Sequence, residues 1–236
     1  ILIGLYVFFN SNNGVNGNQL ANYVDANVKT ARKFSKKCRI LMAESNNSKI
    51  LQSSFYEIDI LEIGGHHKGK RGKDSENKQP TLLILSTLED NNYPQYVKLH
   101  TLPNYKGEPI EEYLKEKCLF DPTIVINCDR DKAFFCLNKL AQLENSVVDY
   151  TKENHKLKWL NTFTGNIQSN INHLYRLVKK RDLPLFLSEQ EWRINHRYSG
   201  KRIMDKVKKY ISMSTPVTFK QITNSVLAYE KQFLSA

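Results

Sequence analysis

The stretch Phe55–Ile63, which reads FYEIDILEI, decides the fold predicted for this chain. It has the length and the β-branched and aromatic content of a strand. Two stretches of similar character follow it, Thr81–Glu89 (TLLILSTLE) and Gln95–Leu102, after a glycine- and lysine-rich loop at Gly64–Pro80. We therefore predict three consecutive strands joined as a meander.

Helices and strands are predicted to alternate beyond this meander. In chain order they are a helix at Pro109–Cys118, a buried central strand at Thr123–Cys128, a helix at Asp131–Leu143 and a short fifth strand at Val147–Tyr150. A connecting loop at 151–163 leads into a helical remainder. This order predicts an α/β fold with a mixed five-stranded sheet, and it is the order of the RNase H-like fold.

The amino-terminal part predicts helices instead. The first helix contains the apolar run Ile1–Phe9, which we expect to be its buried face; the second spans about Gln19–Asp25 and the third about Val28–Met42. The third helix has one apolar face and one basic face. Its basic residues are Lys29, Arg32, Lys33, Lys36 and Lys37. A short helix, a tight turn and a basic helix predict a DNA-binding helix-turn-helix, and the alternative is an ordinary solvated helix pair.

Three segments are predicted from these patterns. Residues 1–45 form the helix-turn-helix segment, residues 55–198 the catalytic domain and residues 199–236 a carboxy-terminal helical tail. A polar linker is expected at 44–54.

Composition narrows the class of partner. The formal net charge is +11, which favours a polyanion, nucleic acid before membrane, although a merely solvated basic surface is the alternative. The run Ile1–Phe9 is too short to span a bilayer, so no membrane association is predicted. None of the four cysteines forms a C-x-x-C pair, so no zinc site is predicted, and a reduced cytoplasmic protein is expected.

Two aspartates stand where this fold can bring carboxylates together. Asp59 lies in the middle of the first predicted strand, and Asp129 directly follows the fourth. Neighbouring carboxylates repel each other, and a hard divalent cation relieves the repulsion. The alternative for Asp129 is a helix N-cap, a role that Asp131 could also take. Glu57 and Glu62 are expected to point to solvent, although Glu57 shares the face of Asp59.

Four blocks of the chain resemble bacterial insertion-sequence transposases of the ISXO type, which are related to the eukaryotic Merlin elements. The family patterns are D-E-T-Y-x-G-G-K-R-x-G-x-R-G, T-D-G-W-x-A-Y, W-V-H-x-x-I-S-N-L-K and K-K-H-L-x-x-Y-L-x-E-F-x-W-R-x-N-x-R. The matching blocks here are Asp59–Gly72 (DILEIGGHHKGKRG), Cys128–Phe134 (CDRDKAF), Trp159–Gln168 (WLNTFTGNIQ) and Lys179–Arg197 (KKRDLPLFLSEQEWRINHR). The resemblance extends from residue 1 to about residue 200.

The resemblance implies an active site made of Asp59, Asp129 and Asn166, which would bind two Mg²⁺ or Mn²⁺ ions. A rival alignment of NTFTG with the family's N-T-I-E-G puts Thr164 in the third place, but Asn166 is preferred because Trp159 then also fits. The implied activity is metal-dependent cleavage at transposon ends followed by strand transfer. The implied partners are double-stranded DNA, as transposon ends and as target, and further copies of the chain in a homo-oligomer. The implied location is the bacterial cytoplasm, at the nucleoid.

DNA contacts are predicted for basic residues of three regions: the third helix, the glycine-rich loop and the tryptophan-containing block. They are Lys29, Arg32, Lys33, Lys36, Lys68, Lys70, Arg71, Arg193 and Arg197. For Arg193 and Arg197 the alternative is to brace the core, and Trp192 is expected to lie in the core.

Some positions depart from the family pattern. Ile60 stands where Glu is usual, Asp131 replaces a Trp and Gln168 replaces a Lys. The zinc ribbon that usually precedes the helix-turn-helix is not recognised here. These departures motivate a second hypothesis, a catalytically inactive, truncated transposase remnant that only binds DNA. A third, a nuclease of the same fold that is not a transposase, leaves the Trp192–Arg197 block unexplained.

Overall fold

The structure is a computed structural model that describes residues 1–64, 78–87, 93–120, 123–129, 131–145, 157–175, 178–199 and 203–213. The chain forms two compact units. We call Lys49–Gln168 the sheet unit, and Ile1–Ser48 together with Ser169–Ala236 the helical unit.

Three helices open the helical unit: α1 (Leu2–Asn10), α2 (Gly17–Val24) and α3 (Val28–Asn47). Asparagine caps explain where two of them begin. The Asn16 side chain accepts hydrogen bonds from the backbone at the start of α2 in a capping box, and the Asn27 side chain caps α3 by accepting from the Lys29 N–H. The three predicted helices are therefore confirmed.

Two expectations for this region are wrong in part. Helix α3 continues to Asn47, into the expected linker, because the buried Asn46 amide donates to the Ser188 carbonyl at 2.9 Å. In α1 the apolar run is buried only in part, at Gly4, Phe8 and Phe9. Phe8 is inaccessible to solvent, whereas Leu2 is 78% exposed.

The sheet unit is built on five strands: β1 (Phe55–Ile63), β2 (Gln79–Thr87), β3 (Pro94–Thr101), β4 (Val125–Cys128) and β5 (Gln142–Asn145). Their order across the sheet is β3-β2-β1-β4-β5. Strand β1 is antiparallel to β2 and parallel to β4, and β4 is parallel to β5. The predicted mixed five-stranded α/β sheet is confirmed.

Helix α4 (Gly107–Lys117) and a 3-10 helix at Lys132–Lys139 supply side chains to the core on one face of this sheet, and α5 (Lys158–Ser169) follows β5 in the chain. The core on that face includes Tyr56, Ile58, Leu82 and Ile84 from the strands, with Ile110, Leu114 and Phe134 from the helices. The face has this composition because alternate residues of a strand point to the same side.

The fifth strand is not where the sequence predicted it. Strand β5 occupies Gln142–Asn145, paired in parallel with Val125–Cys128, so the helix predicted for Asp131–Leu143 is reduced to the 3-10 helix. The predicted strand Val147–Tyr150 lies outside the described residues. Helix α5 begins within the predicted loop 151–163.

The helical unit also contains α6 (Leu183–Asn195) and α7 (Ile203–Met213). Its core joins Phe8, Phe9, Leu20, Met42 and Trp192. Trp192 is fully buried, which confirms its expected place in the core, and its ring meets the Phe9 ring edge-on at a centroid distance of 5.2 Å. Among the helices that the structure describes, none is both long and apolar enough to cross a membrane.

Candidate active site

The parallel pairing of β1 with β4 makes Asp59 and Asp129 neighbours. Ile58 is in register with Cys128, so each aspartate is the next residue along its strand direction. The pKa of the Cys128 thiol is raised to about 12, mainly by burial and in addition by the carboxylates of Asp129 and Asp59, which repel the thiolate. Both carboxylates are therefore close to the Cys128 thiol, at the carboxyl end of β4.

The backbone around each aspartate supports this placement. Asp59 is partly buried, and its Oδ1 accepts a hydrogen bond from the Ile60 N–H at 2.7 Å. Asp129 is exposed, and its Oδ1 accepts from the Asp131 N–H at 3.0 Å. Asp131 in turn accepts from the Ala133 N–H at the start of the 3-10 helix. The N-cap is thus Asp131, and Asp129 holds the turn before it.

A third carboxylate, Glu57, lies on the same strand face as Asp59. It is only 1% exposed, and its Oε2 accepts a hydrogen bond from the Leu160 N–H of α5 at 3.1 Å. Burial raises its pKa to about 7, although the amide donor partly offsets this by favouring the charged form. The expectation that Glu57 points to solvent is wrong, because α5 meets this face of β1.

Glu62, on the other face of β1, is partly exposed. It forms an ion pair with Lys78 and accepts a hydrogen bond from the Tyr105 hydroxyl at 3.1 Å. Strand alternation predicts that Glu57 and Glu62 lie on opposite faces, but it does not predict that α5 buries Glu57.

Asn166 and its rival Thr164 lie on different sides of α5. The Trp159 ring stacks with the exposed Tyr93 ring at a centroid distance of 6.4 Å, next to the start of β3. Asn166 follows Trp159 by seven residues, so it is exposed on the same side of the helix. The Thr164 Oγ1 is instead buried with no hydrogen-bond partner among the described residues.

The donor set of this site suits a hard cation. The two aspartates offer carboxylate oxygens, which Mg²⁺ and Mn²⁺ prefer. Within the described part of the chain, no three His, Cys, Asp or Glu side chains form a group that could hold a metal ion. Among the described residues, a third ligand would be an amide or a hydroxyl, with water or the DNA as further oxygen donors.

The residues predicted to contact DNA fall into three groups. Lys29, Arg32 and Lys33 are exposed on α3, while Lys36 is partly buried and lies 3.6 Å from an Asp182 carboxylate oxygen. The loop residues Lys68, Lys70 and Arg71 lie outside the described residues. The third group, Arg193 and Arg197, belongs to the end of α6 and the turn after it.

Arg193 requires a correction. It is buried, and its Nε and Nη2 donate to Glu189 while Nη1 and Nη2 donate to the backbone carbonyls of Ser11 and Phe8. A guanidinium so enclosed braces the core and does not face a DNA phosphate. Arg197 is partly exposed; its Nη1 donates to the Ile194 carbonyl and its guanidinium lies 4.6 Å from the Tyr198 ring centre.

Sequence reasoning did not single out Glu189, the centre of a buried ion cluster in the helical unit. Its carboxylate accepts from Arg39 at 2.6 Å, from Arg193 at 2.6 Å and from the Tyr175 hydroxyl at 2.7 Å. Burial alone would raise its pKa, but the two arginines outweigh burial and hold the pKa below its usual range. The sequence offered one indication of this cluster, the arginine Arg39 in α3. Its partner Glu189 lies 150 residues further along the chain, so the pair could not be recognised locally.

A mixed sheet in this strand order, with an aspartate on β1 next to one that directly follows β4, is typical of the nuclease core of the RNase H-like class. Within that class, residues 55–195 match the family described as the ISXO2-like transposase domain. This is more than half of the chain, and the chain belongs to that family, which consists of insertion-sequence transposases. No curated protein matches the chain.

The family match does not follow the division into compact units. It includes the strands and α5 of the sheet unit and continues through α6, which lies in the helical unit. The prediction of a catalytic domain at 55–198, with separate segments at 1–45 and 199–236, stays a prediction.

Proposed function

We propose that the chain cleaves DNA at transposon ends with divalent metal and joins the freed ends to a target. The observation that carries this proposal is the pair of aspartates on adjacent parallel strands, Asp59 on β1 and Asp129 directly after β4. Two carboxylates held together at one edge of a sheet gain from a bound cation, because the cation removes their mutual repulsion.

Asp59 and Asp129 would hold the metal, with Asn166 offering its amide oxygen from α5. When bound, two Mg²⁺ or Mn²⁺ ions would activate the attacking oxygen and stabilise the leaving oxygen of a phosphodiester. The protein supplies the positions of these ligands. Asp59 is fixed by its strand and by the Ile60 N–H, and Asp129 by the turn into the 3-10 helix.

The basic face of α3 would bind the phosphate backbone of the DNA. Lys29, Arg32 and Lys33 are exposed there, as the charge pattern of the sequence predicts. Phosphate contacts of this kind position a duplex without reading its sequence. The loop lysines and Arg71 would add to this grip, together with Arg197, and the active complex would contain more than one copy of the chain.

Nicking of an end-labelled duplex tests the proposal. Purified protein is incubated with Mn²⁺ or with EDTA, beside the variant Asp59→Ala. Cleavage that requires Mn²⁺ and that Asp59→Ala loses supports the metal-dependent nuclease. Cleavage by Asp59→Ala at the wild-type rate would reject this assignment.

The second candidate is an inactive remnant that only binds DNA. It is favoured by Ile60, Asp131 and Gln168, which stand where the family pattern has Glu, Trp and Lys. Both candidates predict binding that weakens with salt. Salt-sensitive binding without cleavage in Mn²⁺ would therefore support the remnant.

A further inference from the structure

Polar groups are buried where the first turns of α5 meet the sheet. Glu57 and Asn127 are in register on the parallel strands β1 and β4, so their side chains lie next to each other on one face. They are 1% and 3% exposed. The Leu160 N–H donates to Glu57, and the turn of α5 that follows Leu160 carries Asn161 and Thr164.

Three of these side chains bury atoms that have no hydrogen-bond partner within the described residues. They are the Asn127 Oδ1, the Asn161 Nδ2 and the Thr164 Oγ1. Each such atom costs about 1–3 kcal/mol relative to a satisfied one. An apolar layer in this place would make the fold more stable, so the polar layer is better explained by function than by stability.

Glu57 is the member of this layer that joins the two elements. Its carboxylate accepts the free N–H of the third residue of α5, where the partial positive charge of a helix start favours an anion. On β1, Asp59 follows on the same face after one pleat repeat, about 7 Å along the strand. One hydrogen bond therefore ties the helix that carries Asn166 to the strand that carries Asp59.

We propose that Glu57 is a positioning residue, which sets the place of α5 relative to Asp59 through the Leu160 amide. The proposal rests on the proposed function, because the proposed function makes Asn166, which α5 carries, a ligand of the metal. Glu57 itself does not bind the metal; it acts through the helix. Misplacement of a reacting group by about 1 Å can cost about 100-fold in rate.

Two variants of Glu57 separate this role from others. Glu57→Asp keeps the carboxyl group but shortens the side chain by one methylene, which draws that group away from the Leu160 N–H. Glu57→Gln keeps the length and an acceptor oxygen. Glu62→Asp is the matched control, since it makes the same change on the opposite face of the same strand.

The first measurement is hydrogen exchange of the Leu160 amide, which requires no activity. We expect Glu57→Asp to exchange at least about tenfold faster than wild type, the exchange being governed by the free energy of local opening. Glu57→Gln and Glu62→Asp should stay near wild type. Unchanged exchange in Glu57→Asp would overturn the proposal, whether or not the wild-type protein cleaves DNA.

The second measurement is the rate of Mn²⁺-dependent nicking under the conditions that test the proposed function. Glu57→Asp should lower kcat about 10- to 100-fold with little change in KM for DNA, and Glu57→Gln should restore most of it. Equal losses in Glu57→Asp and Glu57→Gln would mean that the reaction needs both the carboxylate and its exact reach, as for a group that acts directly, which contradicts a positioning role. If wild type does not nick, the proposed function fails, and the exchange result alone decides on Glu57.

Discussion

Glu189 in the helical unit and Glu57 in the sheet unit are both buried, and their environments are opposite. Glu189 in the helical unit receives Arg39, Arg193 and the Tyr175 hydroxyl, and the arginines hold its pKa below the usual range against the effect of burial. Glu57 in the sheet unit receives the Leu160 amide, and burial raises its pKa to about 7.

The difference separates a structural charge from a functional one. A buried carboxylate that is matched by two arginines has its charge compensated within the fold, and it fixes three segments of chain. Around Glu57 the neighbouring acid groups are Asp59 and Asp129, and unsatisfied polar atoms are buried beside them. Acidic groups gathered in this way are typical of a place where a cation or substrate completes the arrangement.

The largest effect is expected at the aspartate pair. Asp129→Asn should lower Mn²⁺-dependent nicking by about 1,000-fold, since a bound metal supplies several kcal/mol and each 1.4 kcal/mol is tenfold in rate. Thermal stability should hardly change, because Asp129 is exposed. Asp131→Asn is the control: asparagine also caps helices, so nicking should persist. Similar losses in both variants would assign the effect to the turn and not to a ligand.

The ion cluster of the helical unit should control stability. Glu189→Gln leaves two buried arginines without their carboxylate, and loss of one partner of a buried pair costs about 3–5 kcal/mol. Denaturant unfolding followed by the fluorescence of the buried Trp192, in a Trp159→Phe background, measures this. Glu44→Gln, at an exposed position of α3, should change stability little. A loss below about 1 kcal/mol in Glu189→Gln would contradict the compensated-charge interpretation.

His100 makes the stability of the sheet unit depend on pH. Burial lowers its pKa to about 4, and its ring stacks on Tyr113 at a centroid distance of 3.9 Å. Because the unfolded chain takes up the proton near pH 6.5 and the folded chain only near 4, stability is full above 6.5 and falls as the pH drops towards 4. The loss should reach roughly 2–3 kcal/mol. His100→Phe keeps the stacking and should remove this part of the slope; an unchanged slope would exclude His100 as its source.

The smallest effect is expected on the surface of α3. Lys29→Ala should weaken DNA binding about equally for all sequences and reduce the slope of log K against log salt by about 1, as one phosphate contact is lost. Lys115→Ala is the control, because Lys115 lies on α4 in an ion pair with Glu111 at 2.6 Å. Equal slopes for Lys29→Ala and wild type would remove this lysine from the DNA-binding surface.

Local pattern was enough to predict some parts of the molecule. The bounds of β1 agree with the prediction, because FYEIDILEI is a strand by composition and by length. The closeness of Asp59 and Asp129 followed from strand order, because parallel pairing of β1 with β4 places the residues after Ile58 and Cys128 side by side. The basic face of α3 followed from helical periodicity.

Other parts depend on contacts that the local sequence does not contain. Strand β5 reads QLEN, which has no strand pattern, and it is a strand because it pairs with β4. From the sequence, Arg193 could be a surface cation that contacts DNA. The structure shows that its partners are Glu189 and the carbonyls of Phe8 and Ser11. Glu57 looked solvated because the helix that covers it is about 100 residues further along the chain.

The central claim is that Asp59 and Asp129 hold divalent metal, and calorimetric titration of the protein with Mn²⁺ tests it without need of the transposon ends. Wild type, Asp59→Asn and Glu189→Gln are titrated side by side at a temperature where all three are folded. We predict that wild type and Glu189→Gln bind Mn²⁺ and that Asp59→Asn does not. Equal binding by Asp59→Asn and wild type would contradict the account.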